Sequence, residues 1–347
     1  LEGLRTPATS KHFEKRIDPV SGVVSYALSL GVERNVQSLY FTAKSMTADG
    51  RFLLVDVSRN ERLNDFDAQG RPLKKAPANR KHKALVDFLK DELVELPEVD
   101  GQIPFVDVKD DYMVYFRNQA FYRRDFRAPA AETKLCDYPA ELLTEGTRIR
   151  YPFTHLTLTA DRTKAFLDSC LIRPGNVTNY VQGVLELANT PDARAYRKKT
   201  GWYPRMWLVR PDGSREMVPA RKKNYASHEI WDDDGQGFSW CGGGVYHQAL
   251  ADLAAGRQEC FCPDRQARPN MLSADKKYVV YDVAPAKWWR GCTWNVKFYN
   301  RATQRTVEVY ATRPALMPES HESRLHPDPH PHFSGDGRWV ISTANNA

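Results

Sequence analysis

Polar turns that each release a short apolar run set the rhythm of this chain. Thr47-Ala48-Asp49-Gly50 delivers Phe52 to Asp56, Lys109-Asp110-Asp111 delivers Tyr112 to Phe116, and Thr159-Ala160-Asp161 precedes Ala165-Phe166-Leu167. The cadence returns at Asp232-Asp233-Asp234-Gly235 before Phe238-Ser239-Trp240, and at Ser273-Ala274-Asp275 before Tyr278 to Tyr281. It closes at Ser334-Gly335-Asp336-Gly337 before Trp339-Val340-Ile341, and a poorer copy lies at Thr190-Pro191-Asp192. Steps between the aspartates run 62, 50, 31, 42, 41 and 61 residues, centred on the length of one four-stranded blade. Seven turns predict an all-β, seven-bladed β-propeller. Hairpins are expected at Met206 to Val218 and Trp294 to Val309, where a turn parts two strand-like runs.

Helix is expected in two short insertions only. Lys83 to Leu96 has apolar positions at helical spacing, and Gln248 to Ala255 reads as a shorter piece. Residues up to about 37 carry mixed charge and few periodic positions, so they read as a lead-in. No stretch separates two domains, and 1–347 reads as a single propeller domain.

With 347 residues and 41% hydrophobic content, the chain has material for a large core and is not a disordered sequence. No apolar run reaches the roughly 20 residues of a membrane helix. The start at Leu1-Glu2-Gly3 has neither an initiator Met nor an apolar leader, so the expectation is a trimmed chain. Export cannot be read directly; the expectation is a periplasmic or extracellular protein, or a cytoplasmic one if it acts on imported oligosaccharides. Fifty Lys and Arg against 43 Asp and Glu give a net charge of +7, which favours an anionic partner. The basic residues are scattered through strand-like runs, with no helix-turn-helix or zinc-finger spacing. An acidic polysaccharide is therefore expected rather than nucleic acid or membrane.

Candidate chemistry concentrates near the C-terminal end. His326, Asp328, His330 and His332 fall within seven residues, spaced by prolines that keep the backbone extended. Alternate residues of an extended chain face one side, so His330 and His332 can address one cation with Asp328 or His326 beside them. The plainer reading is a solvated turn. Cys260 and Cys262, one residue apart, can share a structural zinc completed by Cys292, Cys241 or His247; buried inert thiols are the alternative.

His228 and the His326 to His332 cluster each sit a few residues ahead of a blade's Asp-Gly turn. In equivalent places, both can face the same axial region. Here the chain resembles the seven-bladed propeller polysaccharide lyases, the oligogalacturonate lyases and the related ulvan-type lyases. The resemblance is carried by Ser227-His228-Glu229-Ile230-Trp231 with Asp234-Gly235, by Arg205-Met206-Trp207 through Asp212-Gly213, and by Pro329-His330-Pro331-His332-Phe333-Ser334 with Asp336-Gly337. It implies cleavage of a 4-linked uronate by β-elimination in a monomer, with a divalent cofactor: manganese, calcium or zinc. By motif, His228 and His330 take metal positions, Asp328 stands where a further histidine would be, and His326 or His332 can substitute. Leu325 stands near the family's glutamine ligand, and Asn179-Tyr180 where the manganese branch has its catalytic Gly-His. A tyrosine there is similar to the ulvan-type branch.

The chemistry asks for these residue types. The C5 proton of a uronate is weakly acidic until the neighbouring carboxylate is neutralised by a metal, an arginine or a histidine. A base takes that proton and an acid returns one to O4, both of which one tyrosine can do. The resemblance makes Tyr180 the first candidate, His155 the alternative base, and Arg205 the carboxylate clamp with Arg194 and Arg197 behind it. Trp231 and His326 are counted with Arg194 as substrate-binding. A propeller that binds a glycan or protein without catalysis, and a glycoside hydrolase using a carboxylate pair, are the competing classes.

Overall fold

Each recurring turn is a small hydrogen-bonded unit. Thr47 Oγ1 donates to Asp49 Oδ1 (2.7 Å) and accepts the Phe52 N–H (3.0 Å), while Asp49 Oδ1 also accepts the Arg51 N–H (2.9 Å). Ser273 and Asp275 repeat the scheme with the N–H groups of Tyr278 (3.0 Å) and Lys277 (3.1 Å). Ser334 and Asp336 repeat it with Trp339 and Arg338, both at 3.0 Å. The residue after the third position must take a left-handed φ. Glycine does so freely at Gly50 (72°), Gly235 (66°) and Gly337 (70°), while Asp111 (53°) and Lys276 (58°) fill the same place in other turns.

The computed structural model describes residues 2–19, 21–31, 34–59, 82–100, 104–118, 120–137, 157–158, 165–166, 171–173, 176–181, 206–209, 215–218, 227–283, 294–312 and 329–343. These turns and their neighbours join antiparallel strands into five four-stranded sheets. Blade A comprises Arg34–Gln37, Phe52–Arg59, His82–Asp87 and Glu92–Asp100. Blade B comprises Phe105–Asp107, Tyr112–Arg117, Ala120–Asp125 and Thr133–Asp137. Sheet C takes Thr157–Leu158, Ala165–Phe166, Met206–Val209 and Arg215–Val218, with the hairpin Leu171–Arg173/Asn176–Val181 inserted between its second and third strands. Blade D comprises Ser227–Trp231, Gly237–Cys241, Val245–Ala249 and Glu259–Cys262, and blade E Ala267–Leu272, Tyr278–Val283, Trp294–Asn300 and Arg305–Thr312. A, B, D and E are each built from four consecutive strands, the plan of a propeller blade. The protein is nearly all-β, and its described blades are arranged as a β-propeller.

The helical expectation at Lys83 to Leu96 is overturned. These residues form two strands, His82–Asp87 and Glu92–Asp100, turning at Asp91 with a φ of 56°. The first is buried along nearly its whole length on both faces, so its apolar residues run on without alternating. Lys83 belongs to that run because its ammonium is paired with Asp56. At Gln248 to Ala255 only the 3-10 turn Leu250–Asp252 is helical, and no α-helix occurs among the described residues. None there is long and apolar enough to cross a membrane.

The two ends of the described chain meet. The hairpin His332–Phe333/Val340–Ile341 packs Trp339 and Ile341 into the core of blade A, and Trp339 meets the Tyr26 ring of the hairpin Phe13–Ile17/Val24–Leu28 edge-on at 5.9 Å. Gly335 donates its N–H to the Met46 carbonyl at 2.8 Å, and a Cβ there would stand 2.7 Å from that oxygen. Ser38 adds its N–H to Thr343 Oγ1 (3.0 Å) and its hydroxyl to the Pro329 carbonyl (3.3 Å). A further cluster draws Phe41, Ile230, Met271, Val280, Val296 and Phe333 together, so blades D and E, the closing hairpin and the segment between the first two strands of blade A share one core.

Candidate functional site

Around that cluster the chain brings together two histidines and two aromatic residues. His228 lies on the first strand of blade D, and its ring packs on Phe41 with centroids 5.4 Å apart. His330 leads into the closing hairpin, and its ring meets Tyr40 edge-on at 4.5 Å. The two imidazoles thus sit against consecutive residues of one segment, although 102 positions separate them in sequence.

Their backbones share an unusual feature. Seven described non-glycine residues have a positive φ. Five of them, Asp91, Asp111, Asn118, Lys276 and Gln304, lie in turns that join paired strands, where such a φ is required. The other two are His228 (61°) and His330 (45°). A left-handed φ is uncommon for a side chain with a Cβ and persists where surrounding contacts impose it, most often at functional sites. At His228 it breaks the ladder, whose register shifts between Ser227 and Ile230.

Those contacts are specific. The His330 N–H donates to Asp282 Oδ2 (3.1 Å), and the His330 carbonyl accepts from His332 Nδ1 (3.0 Å). The His228 carbonyl accepts from Asn270 Nδ2 (3.4 Å), whose own Oδ1 is held by the Ser239 hydroxyl (3.1 Å).

His332 has a different role from the expected one. A carbonyl only accepts, so Nδ1 carries the proton, and Nε2 accepts from the Ser45 N–H (3.2 Å) and the Ser45 hydroxyl (2.9 Å). Both nitrogens are committed and the ring is fully buried. Burial pushes its pKa down from 6.5 to about 4, so it is neutral at pH 7 and ties the hairpin to blade A rather than ligating an ion.

Two further expectations are corrected. His247 stacks on Phe261 (4.5 Å between centroids, 15° between planes) and pairs Nε2 with Asp232 Oδ2 at 2.8 Å. Its ring is thereby engaged by Phe261 on one side and Asp232 at Nε2. Cys262 is buried and its thiol pushed up by that burial, whereas Cys260 is exposed. Trp231 is a core residue, packed edge-on against Phe238 at 5.5 Å, and offers no face to a glycan.

Among the described residues no group of three or more His, Cys, Asp or Glu side chains is placed to hold a metal ion. His228 and His330 are two imidazoles packed on one aromatic pair, Phe41 and Tyr40. Tyr180 lies on the strand Asn176–Val181, opposite Ile172. His155, Arg194, Arg197, Arg205, Cys292, His326 and Asp328 lie outside the described residues. Tyr40, Phe41, Asn270 and Asp282 were missed in the sequence. Aligning the chain on its turns exposes a signal for Asn270: it stands three residues ahead of Ser273, much as His228 and His330 stand four ahead of Asp232 and Ser334.

No family model matches the chain, and no curated protein matches it in sequence. Among solved structures, an oligogalacturonate lyase in complex with manganese is similar over 96% of this chain and 92% of its own, with a TM-score of 0.64 and 16% identity. The oligogalacturonate lyase of Vibrio parahaemolyticus is similar over 96% and 93%, with a TM-score of 0.62 and 15% identity. TolB from Acinetobacter baumannii covers 87% of this chain and 61% of its own length at a TM-score of 0.44 and 12% identity. At such identities the two lyases establish a shared propeller fold.

Proposed function

We propose that this protein is a polysaccharide lyase that cleaves a 4-linked uronate in an acidic glycan by β-elimination, as a monomer on a seven-bladed, single-domain propeller. The observation that carries the reading is the pair His228 and His330, whose backbones are left-handed and whose rings pack against Tyr40 and Phe41. The propeller shared with two oligogalacturonate lyases supports it, as does the net charge of +7.

In this reading His228 and His330 hold a divalent ion with a further ligand from His326 or Asp328. Manganese is the first choice, since one of the similar lyases is a manganese complex. Bound there, such an ion supplies positive charge to the uronate carboxylate, which makes the C5 proton removable. Arg205, with Arg194 and Arg197, orients the same carboxylate by forked hydrogen bonds. With its own proton withdrawn by neighbouring cations, Tyr180 takes the C5 proton as the phenolate, the electron pair forms the C4=C5 double bond, the C4–O4 bond breaks, and the tyrosine returns that proton to O4. His155 is the competing base.

The double bond conjugates with the carboxylate and absorbs near-ultraviolet light. Incubation with oligogalacturonate and with ulvan, with and without manganese, is expected to raise that absorbance on one of them. Flat traces on both, with intact folded protein, overturn the reading and leave a binding propeller. Tyr180→Phe is expected to lower turnover by roughly 10²–10⁴-fold. Normal turnover in that variant alongside an inactive His155→Ala transfers the base to the imidazole.

A further inference from the structure

Both site histidines are held by side chains of blade E, which contributes neither of them. Asn270, on its first strand, is fully buried and reaches across to the His228 carbonyl at 3.4 Å. Asp282, on its second strand, is also buried and accepts the His330 N–H at 3.1 Å. The two strands are neighbours, with Asn270 opposite Tyr281, the residue before Asp282. The same blade thus meets, through one short patch, the only two left-handed non-glycine residues outside hairpin turns among the described residues.

We propose that Asn270 and Asp282 are paired positioning residues that fix His228 and His330 in register with each other. This inference rests on the reading of those histidines as ligands of one divalent ion. A carboxylate buried in this interior is an expensive choice for packing alone. Its oxygen on the His330 N–H satisfies a backbone donor that a left-handed residue cannot place in a ladder. Asn270 does the complementary work, donating one amide proton to the carbonyl of a residue that has slipped out of register. It donates also to Cys241 Sγ (3.2 Å), while its oxygen is engaged by Ser239. With its orientation so fixed, the amide cannot rotate away from His228. Both groups act on backbone, so they set where each imidazole begins rather than its protonation.

The test uses Asn270→Asp, Asp282→Ala and Asp282→Asn in the full chain. Asn270→Asp keeps the acceptor for Ser239 and removes the donor to His228, with no change in volume. Asp282→Asn keeps an oxygen for the His330 N–H and removes the charge. The imidazole Cε1–H resonances of His228 and His330, assigned by single substitution, report position without any ligand. Asn270→Asp is expected to move the His228 resonance and Asp282→Ala that of His330, with Asp282→Asn close to wild type. Titration with manganese alone is expected to show affinity weakened by about 10–100-fold in Asn270→Asp and Asp282→Ala, and largely restored in Asp282→Asn. Wild-type binding with unchanged affinity in both weakened variants overturns the positioning role and leaves the metal reading standing. Absence of manganese binding by the wild-type protein overturns the metal reading, and unmoved resonances then overturn the positioning role on its own terms. An Asp282→Asn variant as defective as Asp282→Ala shows that charge, not the backbone hydrogen bond, is what matters, and also overturns it.

Discussion

The two ends of the blades follow different rules. At the turn end, Thr47-Asp49, Ser273-Asp275 and Ser334-Asp336 reproduce one hydrogen-bond scheme, and glycine or a tolerated substitute fills the left-handed position. At the opposite end blades D and E and the closing segment differ. Blade D presents His228 in a broken ladder, blade E an amide and a carboxylate, and the closing segment His330 held from both sides. Repetition marks what every blade needs in order to fold. Departure from the repeat, at positions with left-handed backbone, falls on the residues to which we assign the chemistry.

Breaking the irregular end is expected to have the largest effect, and on chemistry alone. Replacing His228 and His330 together with alanine is expected to lower turnover by at least roughly 10²–10³-fold, the range for loss of charge stabilisation at a reacting centre. Thermal unfolding should change little, since alanine removes rings and keeps the backbone hydrogen bonds. Collapse of the melting transition in that variant would make the histidines structural and erase the contrast.

His332 lies between the two regimes, next to the site yet committed to the fold. Its folded-state pKa is depressed from 6.5 to about 4, so the folded protein favours the neutral ring. Its contribution is full above pH 6.5, declines as pH falls through that window, and is gone below about 4. The shift corresponds to about 3 kcal/mol. Chemical denaturation across pH 7 to 4 is expected to show this slope in the wild type and a flatter one in His332→Gln.

At the junction of the closing hairpin and blade A, Gly335→Ala forces a Cβ against Met46 and Ala48, and a loss of about 1–3 kcal/mol is expected by denaturant melt. The smallest effect belongs to the repeated end. Ser273→Ala leaves Asp275 and the Tyr278 N–H without one partner and is expected to lower stability by about 1 kcal/mol with unchanged turnover. A large loss of activity there would show that the turn end also serves the chemistry.

What could be read in advance follows the same division. Turns are local, so the Ser/Thr-x-Asp cadence announced strands and a propeller plan without a neighbour in view. Lys83 to Leu96 misled because a strand buried on both faces loses the alternation that identifies it, and a continuous apolar run with one turn imitates helical spacing. His228 and His330 were legible as candidates because imidazoles ahead of turns are rare in this chain. His332 and His247 could not be separated from them, because Ser45 and Asp232, which occupy their nitrogens, are partners the local sequence around the imidazoles does not name. Asn270 and Asp282 look like any polar residues in strands. Only the register of blade E against its neighbours gives them a purpose.

The contacts that seal the ring span nearly the whole chain: Ser45 to His332 bridges 287 positions, and Ser38 to Thr343 bridges 305. Loop closure of that length is entropically modest but slow to find, and it waits for the last blade to exist. During synthesis a ribosome releases blades A, B, D and E before His330 emerges. The nascent protein can therefore be largely folded and still lack half of its histidine pair. On the proposed reading, activity waits for the closing segment to emerge, and a polypeptide cut short before Pro329 is expected to be silent as well as unsealed.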